Sequence, residues 1–119
     1  MTRYVTKAEQ KWDEARVRGV NMPSCTLWDG GHDVVTRLFR LPKGCQLPRH
    51  KHAVWVQIFI VSGKMHVDLG DRTLEAGDFY FVEPEDTHIE TALEDTELFI
   101  VRYANDPQGA RITPSDAPG

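Results

Sequence analysis

Turn signals cut residues 33 to 103 into short β-rich segments spaced roughly 8 to 12 residues apart, the pattern of an antiparallel sandwich or barrel. Val34 to Leu41 is rich in β-branched and apolar residues and stops at Pro42-Lys43-Gly44. Trp55 to Val61 is nearly all apolar, which predicts a central strand buried on both faces and ended by Ser62-Gly63. Lys64 to Leu69 alternates, with Met65, Val67 and Leu69 on one side and His66 on the other, solvated side. Gly70-Asp71 predicts a two-residue hairpin turn of the II′ kind. Phe79 to Val82, Thr87 to Ala92 and Glu97 to Tyr103 are further strands, divided by Glu83-Pro84-Glu85-Asp86 and Glu94-Asp95. The expected fold class is all-β.

Before residue 34 the pattern is weaker. Thr6 and Glu9 have the spacing of a capping box and Gly19 that of a C-cap, so a short helix over about residues 7 to 17 is expected. The alternative is an extended arm packed on the barrel. After Ala104 the chain carries Pro107, Gly109, Pro114 and Pro118 and reads as a tail. The expected organisation is one domain: an arm at 1–33, a barrel at 34–104 and a flexible tail at 105–119.

Composition narrows the partners. The net charge of −4 and pI near 5.7 argue against nucleic acid or an anionic membrane surface. No apolar run approaches the roughly 20 residues that cross a bilayer. Met1 to Lys7 lacks the apolar core of a secretory signal, so a cytoplasmic location with Cys25 and Cys45 reduced is expected. Cys45 stands five residues before His50, close enough to consider as a soft metal ligand, but a structural thiol is the plainer reading.

The chemistry concentrates in three histidines. His50 and His52 stand one residue apart, and on a strand such a pair points to one face. His88 on a neighbouring strand would complete a facial triad for one divalent ion. His32 lies in a Gly-Gly-His-Asp turn that needs no function.

The segments carrying these histidines resemble the paired motifs of the cupin superfamily. Gly44, His50, His52 and Gly63 stand in register with the first motif, and Gln57 occupies its glutamate position. Gly77 and His88 keep the separation of the second, although Pro84 is one place late and Glu85 stands where a glycine would be. The resemblance covers roughly residues 34 to 103 and implies a double-stranded β-helix, a jelly-roll barrel. Trp12, Gly19-Val20, Val35 to Leu41 and Pro48-x-His50-x-His52 are similar to the branch holding acetylacetone dioxygenases and ChrR-type cupins. That branch implies a three-histidine site without the usual glutamate. A set of three histidines and one glutamine also resembles KdgF, the small pectin-degradation cupins.

These resemblances imply one divalent metal per protomer on His50, His52, His88 and Gln57. Fe(II) is the first choice, then Ni, Zn or Mn. Gln57 would ligate directly, bind a metal-held water, or simply line the pocket. Trp55 and Phe59 share its face and would form pocket walls, with Val56, Ile58 and Ile60 on an outer face covered by homodimerisation. Glu90, two residues after His88, is placed as a general base, an imidazole partner, a late ligand or a charge at the barrel mouth. Arg102 shares a face with Leu98 and Ile100 and would hold a substrate carboxylate or make a rim ion pair. The expected function is a small non-haem dioxygenase of a chelating diketone or hydroxyketone. A KdgF-like sugar isomerase is the alternative, and a sensor module the non-enzymatic one. A sensor is expected to need an effector domain, for which this chain leaves little room.

Overall fold

The computed structural model describes residues 2–104. One 3₁₀ turn, Lys7–Glu9, precedes ten strands: β1 Trp12–Val17, β2 Val20–Trp28, β3 Val34–Leu41, β4 Gln46–Lys51, β5 Val56–Ser62, β6 Lys64–Val67, β7 Arg72–Glu75, β8 Phe79–Val82, β9 Thr87–Ala92 and β10 Thr96–Tyr103. They form two antiparallel sheets, ordered β1-β2-β3-β10-β5-β8 and β4-β9-β6-β7. The inner faces bury Met22, Phe39, Leu41, Ile60, Met65 and Leu98 in one core. This is the all-β jelly roll expected from the sequence. No helix among the described residues is long and apolar enough to cross a membrane. The tail expected at 105–119 lies outside the described residues.

Of the two N-terminal expectations, the helix over residues 7 to 17 needs correction, and the extended arm packed on the barrel is what the structure has. The capping-box spacing makes a single turn, in which the Glu9 carboxylate accepts the Thr6 N–H at 2.9 Å and its hydroxyl at 2.8 Å. The chain then extends into β1 instead of continuing as a helix to residue 17. Arg18 (φ 54°) and Gly19 (φ 83°) form the two-residue turn to β2, with the positive dihedrals that match the twist of paired strands. Tertiary pairing overrides the weak helical signal. Met22 is buried in the core and Trp12 lies under the Arg40 guanidinium, 3.8 Å from the ring centroid. Residues 12–28 are therefore part of the larger sheet.

Two further details differ. The β6–β7 connection is Asp68 to Asp71, not the two residues Gly70-Asp71. Asp68 is held to β9, its N–H donating to the Ile89 carbonyl (3.1 Å) and its Oδ1 accepting the Ile89 N–H (2.5 Å). That removes it from the β6–β7 ladder. The faces of β5 are also reversed from expectation. Val56, Ile58 and Ile60 are buried, while Phe59 and Val61 are exposed. An all-apolar strand carries no alternation, so only its packing decides which face turns inward.

Candidate metal centre

A β-bulge aims the first histidine. In the β4–β9 ladder Leu47 opposes Glu90 and His50 opposes His88, so three steps on β4 match two on β9. Strict alternation from buried Leu47 would turn Arg49 inward. The extra residue leaves Pro48 and Arg49 exposed and swings His50 into the barrel. Pro48 lacks the N–H that a regular ladder would use at this point. Its carbonyl accepts the His50 Nδ1–H at 2.6 Å, which leaves Nε2 as a lone-pair donor facing the interior.

The three imidazoles converge. The ligand nitrogens of His50, His52 and His88 lie within 4.8 Å of one another. Nε2 of His50 and Nε2 of His88 are 2.8 Å apart. Nitrogens about 2.1 Å from a common ion stand about 3.0 Å apart at right angles, so this spacing fits two adjacent ligands. Burial depresses the basicity of His88, and burial together with His50 and Arg18 holds His52 at about 3. Neutral imidazole is the form that binds a metal. The donor set therefore fits a divalent first-row ion.

The surroundings of the triad are mixed. Glu90 is buried, with Oε1 3.4 Å from His50 Nε2 and 3.5 Å from His88 Nε2. The Tyr80 hydroxyl donates to its other oxygen, Oε2. Burial and the Glu90 charge push the Tyr80 phenol well above its usual range, so it remains a donor. Burial alone would raise the Glu90 carboxyl; its contacts with His50, His88 and Tyr80 outweigh that and hold it below the usual carboxylate range. Beside the triad lies a cavity of about 50 Å³ lined by His50, His52, Glu90, Arg18, Arg102 and apolar side chains including Val56, Ile58 and Ile100. Arg18 also donates to the Lys51 carbonyl at 3.1 Å, which ties the β1–β2 turn to the end of β4.

A family model, the ChrR Cupin-like domain, matches residues 2–107. The chain belongs to this cupin family. A search of the curated proteins found no match. Among solved structures, an RmlC-like cupin from Ralstonia eutropha JMP134 is 18% identical with a TM-score of 0.75, covering 87% of this chain and 69% of the other. A predicted oxalate decarboxylase from Thermotoga maritima is 21% identical, TM-score 0.72, covering 85% and 98%. KdgF from a Halomonas species is 18% identical, TM-score 0.71, covering 87% and 94%. At these identities the likeness is one of fold.

Within this cupin the expected site residues separate into two groups. His50, His52, His88, Glu90 and Arg102 come together, as their strand positions suggest. Gln57, Trp55 and Phe59 do not join them. Gln57 pairs with Phe81 and Val101 and alternates with Val56 and Ile58, which line the cavity, so it belongs to the opposite face. Trp55 stacks on exposed Phe81 at 6.1 Å, and Phe59 is 40% exposed. Cys45 packs partly buried against the core, where burial raises its thiol; both cysteines are free. His66 pairs with Asp71 and exposed His32 stacks on Trp28. Sequence reasoning missed Tyr80 and Arg18. Tyr80 sits in an aromatic strand without polar alternation, yet a hydroxyl there demands a buried partner. Arg18 lies in a turn and gives no such signal.

Proposed function

We propose that this cupin is a metal-dependent enzyme acting on a compact, chelating, oxygenated anion, with dioxygenation of a diketone or hydroxyketone as its reaction. The observation carrying this reading is the convergence of three imidazoles beside a small cavity whose wall is apolar apart from His50, His52, Glu90, Arg18 and Arg102. His50, His52 and His88 would hold one divalent ion, Fe(II) by preference and Ni, Zn or Mn otherwise. When bound, such an ion supplies Lewis acidity and, if iron, a redox couple suited to O₂.

The chain's own groups do the rest. The Pro48 carbonyl sets the tautomer and ring direction of His50. Val56, Ile58 and Ile100 keep water away from the reacting atoms and lower the local dielectric. The guanidiniums of Arg102 and Arg18 favour an anionic substrate over its neutral form.

A second reading is a KdgF-like isomerisation without redox change. It is supported by the buried Tyr80–Glu90 pair, a hydroxyl donor and a carboxylate within reach of the cavity. A metal- or ligand-binding sensor module is the non-enzymatic reading. Elemental analysis of protein purified without added metal should find about one divalent ion per protomer, lost in the His50→Ala/His52→Ala variant. The Fe(II)-loaded protein is then tested for oxygen uptake with 1,3-diketones and hydroxyketones. Uptake that stops in His88→Ala supports the oxygenase. Anaerobic turnover of unsaturated uronates supports the isomerase, and metal binding without any turnover supports the sensor.

A further inference from the structure

We propose that Glu90, supplied by β9, is the fourth protein ligand of the metal centre, taking the place that the family motif gives to a residue after the His-x-His pair. The inference rests on the metal reading above and concerns which side chain completes the set. Its first support is negative for β5. The inward positions of that strand are Val56 and Ile58, which have no donor atom, and Gln57 alternates to the other face. A chain with His50 and His88 in place but no donor on β5 must either leave the fourth position to solvent or fill it from elsewhere.

Glu90 stands beside two of the three imidazoles of the cluster, His50 and His88. Its Oε1 forms a triangle with the two Nε2 atoms, with sides of 2.8, 3.4 and 3.5 Å. Ligand atoms about 2.1 Å from one ion are about 3.0 Å apart at right angles and about 3.4 Å apart at the tetrahedral angle. All three sides fall at or near that range. A carboxylate that only oriented an imidazole would sit against its distal nitrogen, but the His50 Nδ1 position is taken by the Pro48 carbonyl. Glu90 instead faces the same Nε2 atoms that a metal would use.

Tyr80 then acts as a positioning residue. Its hydroxyl donates to Oε2, which occupies that oxygen and leaves Oε1 for the ion, so binding through one oxygen is favoured. The i, i+2 spacing of His88 and Glu90 puts both donors on one face of β9. A buried carboxylate between two imidazoles is costly unless positive charge accompanies it, and a divalent ion supplies that charge. The resulting set of three imidazoles and one carboxylate carries one net positive charge rather than two. That favours tighter metal retention and a weaker Lewis acid than three imidazoles alone.

The test is a competition titration of the full chain with Zn²⁺ and Co²⁺ against a chromophoric chelator. It compares wild type, Glu90→Gln, Tyr80→Phe, Gln57→Leu and His50→Ala/His52→Ala, with the Co²⁺ visible spectrum read alongside. Glu90→Gln should weaken affinity by about 100-fold or more and alter the Co²⁺ bands, Tyr80→Phe by about 10-fold, and Gln57→Leu should leave both unchanged. Circular dichroism and melting of the metal-free variants check that each still folds, and Glu90→Asp serves as a second variant if Glu90→Gln does not. Wild-type affinity and bands in a folded Glu90 variant, or loss in Gln57→Leu, would overturn this assignment while leaving the metal reading intact. A wild type that takes up no metal, indistinguishable from the double-histidine variant, would overturn both.

Discussion

Replacing Gly63 by alanine should cost this barrel about 3 to 4 kcal/mol, and the reason can be separated into two parts by a matched control. Gly63 is where the chain leaves the larger sheet at the end of β5 and enters the smaller one at β6, with φ at +93°. A left-handed backbone costs an L-residue about 1 to 2 kcal/mol. A Cβ here would also stand 2.3 Å from the Asp95 carbonyl oxygen, 2.6 Å from the Thr96 hydroxyl and 2.7 Å from the Thr96 Cα. Two of these atoms are backbone, so the relief is a shift of the Asp95–Thr96 segment and not a side-chain rotation. Thr96 anchors that crossover, its hydroxyl bonding the Lys64 N–H at 3.2 Å and the Glu94 carbonyl at 2.8 Å. Losing each such bond costs about 0.5 to 1.5 kcal/mol. Gly77 is the control, since its φ is +92° and nothing lies within 4 Å of the added Cβ. Gly77→Ala should therefore pay only the backbone part. Urea unfolding of both variants, followed by circular dichroism, measures the difference. A Gly63→Ala variant no less stable than Gly77→Ala would refute the steric account.

Other consequences follow from burial and charge. The outer face of the larger sheet exposes Phe59, Phe79 and Phe81, so the chain is expected to pair through it; light scattering should give twice 13.6 kDa, and Phe81→Glu should halve that mass. His52 protonates at about 3 in the fold against 6.5 without it. Between those values the unfolded chain binds more protons, so the metal-free protein should lose stability as pH falls from 6.5 toward 3 and show no such slope above 6.5. Melting curves of wild type and His52→Gln across that window check the sign, which is wrong if the variant keeps the full slope. Arg102→Leu should raise KM for an anionic substrate by roughly 10-fold or more while metal content is unchanged, read by steady-state kinetics and elemental analysis.

Much of the site was legible before the fold because it depends on local periodicity. His88 and Glu90 share a face by their spacing alone, and Arg102 follows Leu98 and Ile100 inward for the same reason. The histidine triad was legible because His50, His52 and His88 stand in a motif frame, not because alternation holds throughout. On β4 alternation fails, and the bulge at Pro48 and Arg49 restores the inward direction of His50. The proline was the visible sign of that irregularity.

The amino-acid order by itself determined that the chain is an all-β domain, since turn residues and strand periodicity act over a few neighbours, and resemblance to a motif marked the three histidines. Only the tertiary structure decided what completes the site. An apolar run such as Val56 to Val61 has no polar face to exclude from the core, so its orientation is set by the strands packed on either side, β10 and β8. That orientation sends Gln57 outward and Val56 inward. Tyr80 and Arg18 reach the site from β8 and the β1–β2 turn, outside the strands that carry the histidines. Their roles depend on sheet pairing across the barrel, an interaction no local pattern encodes.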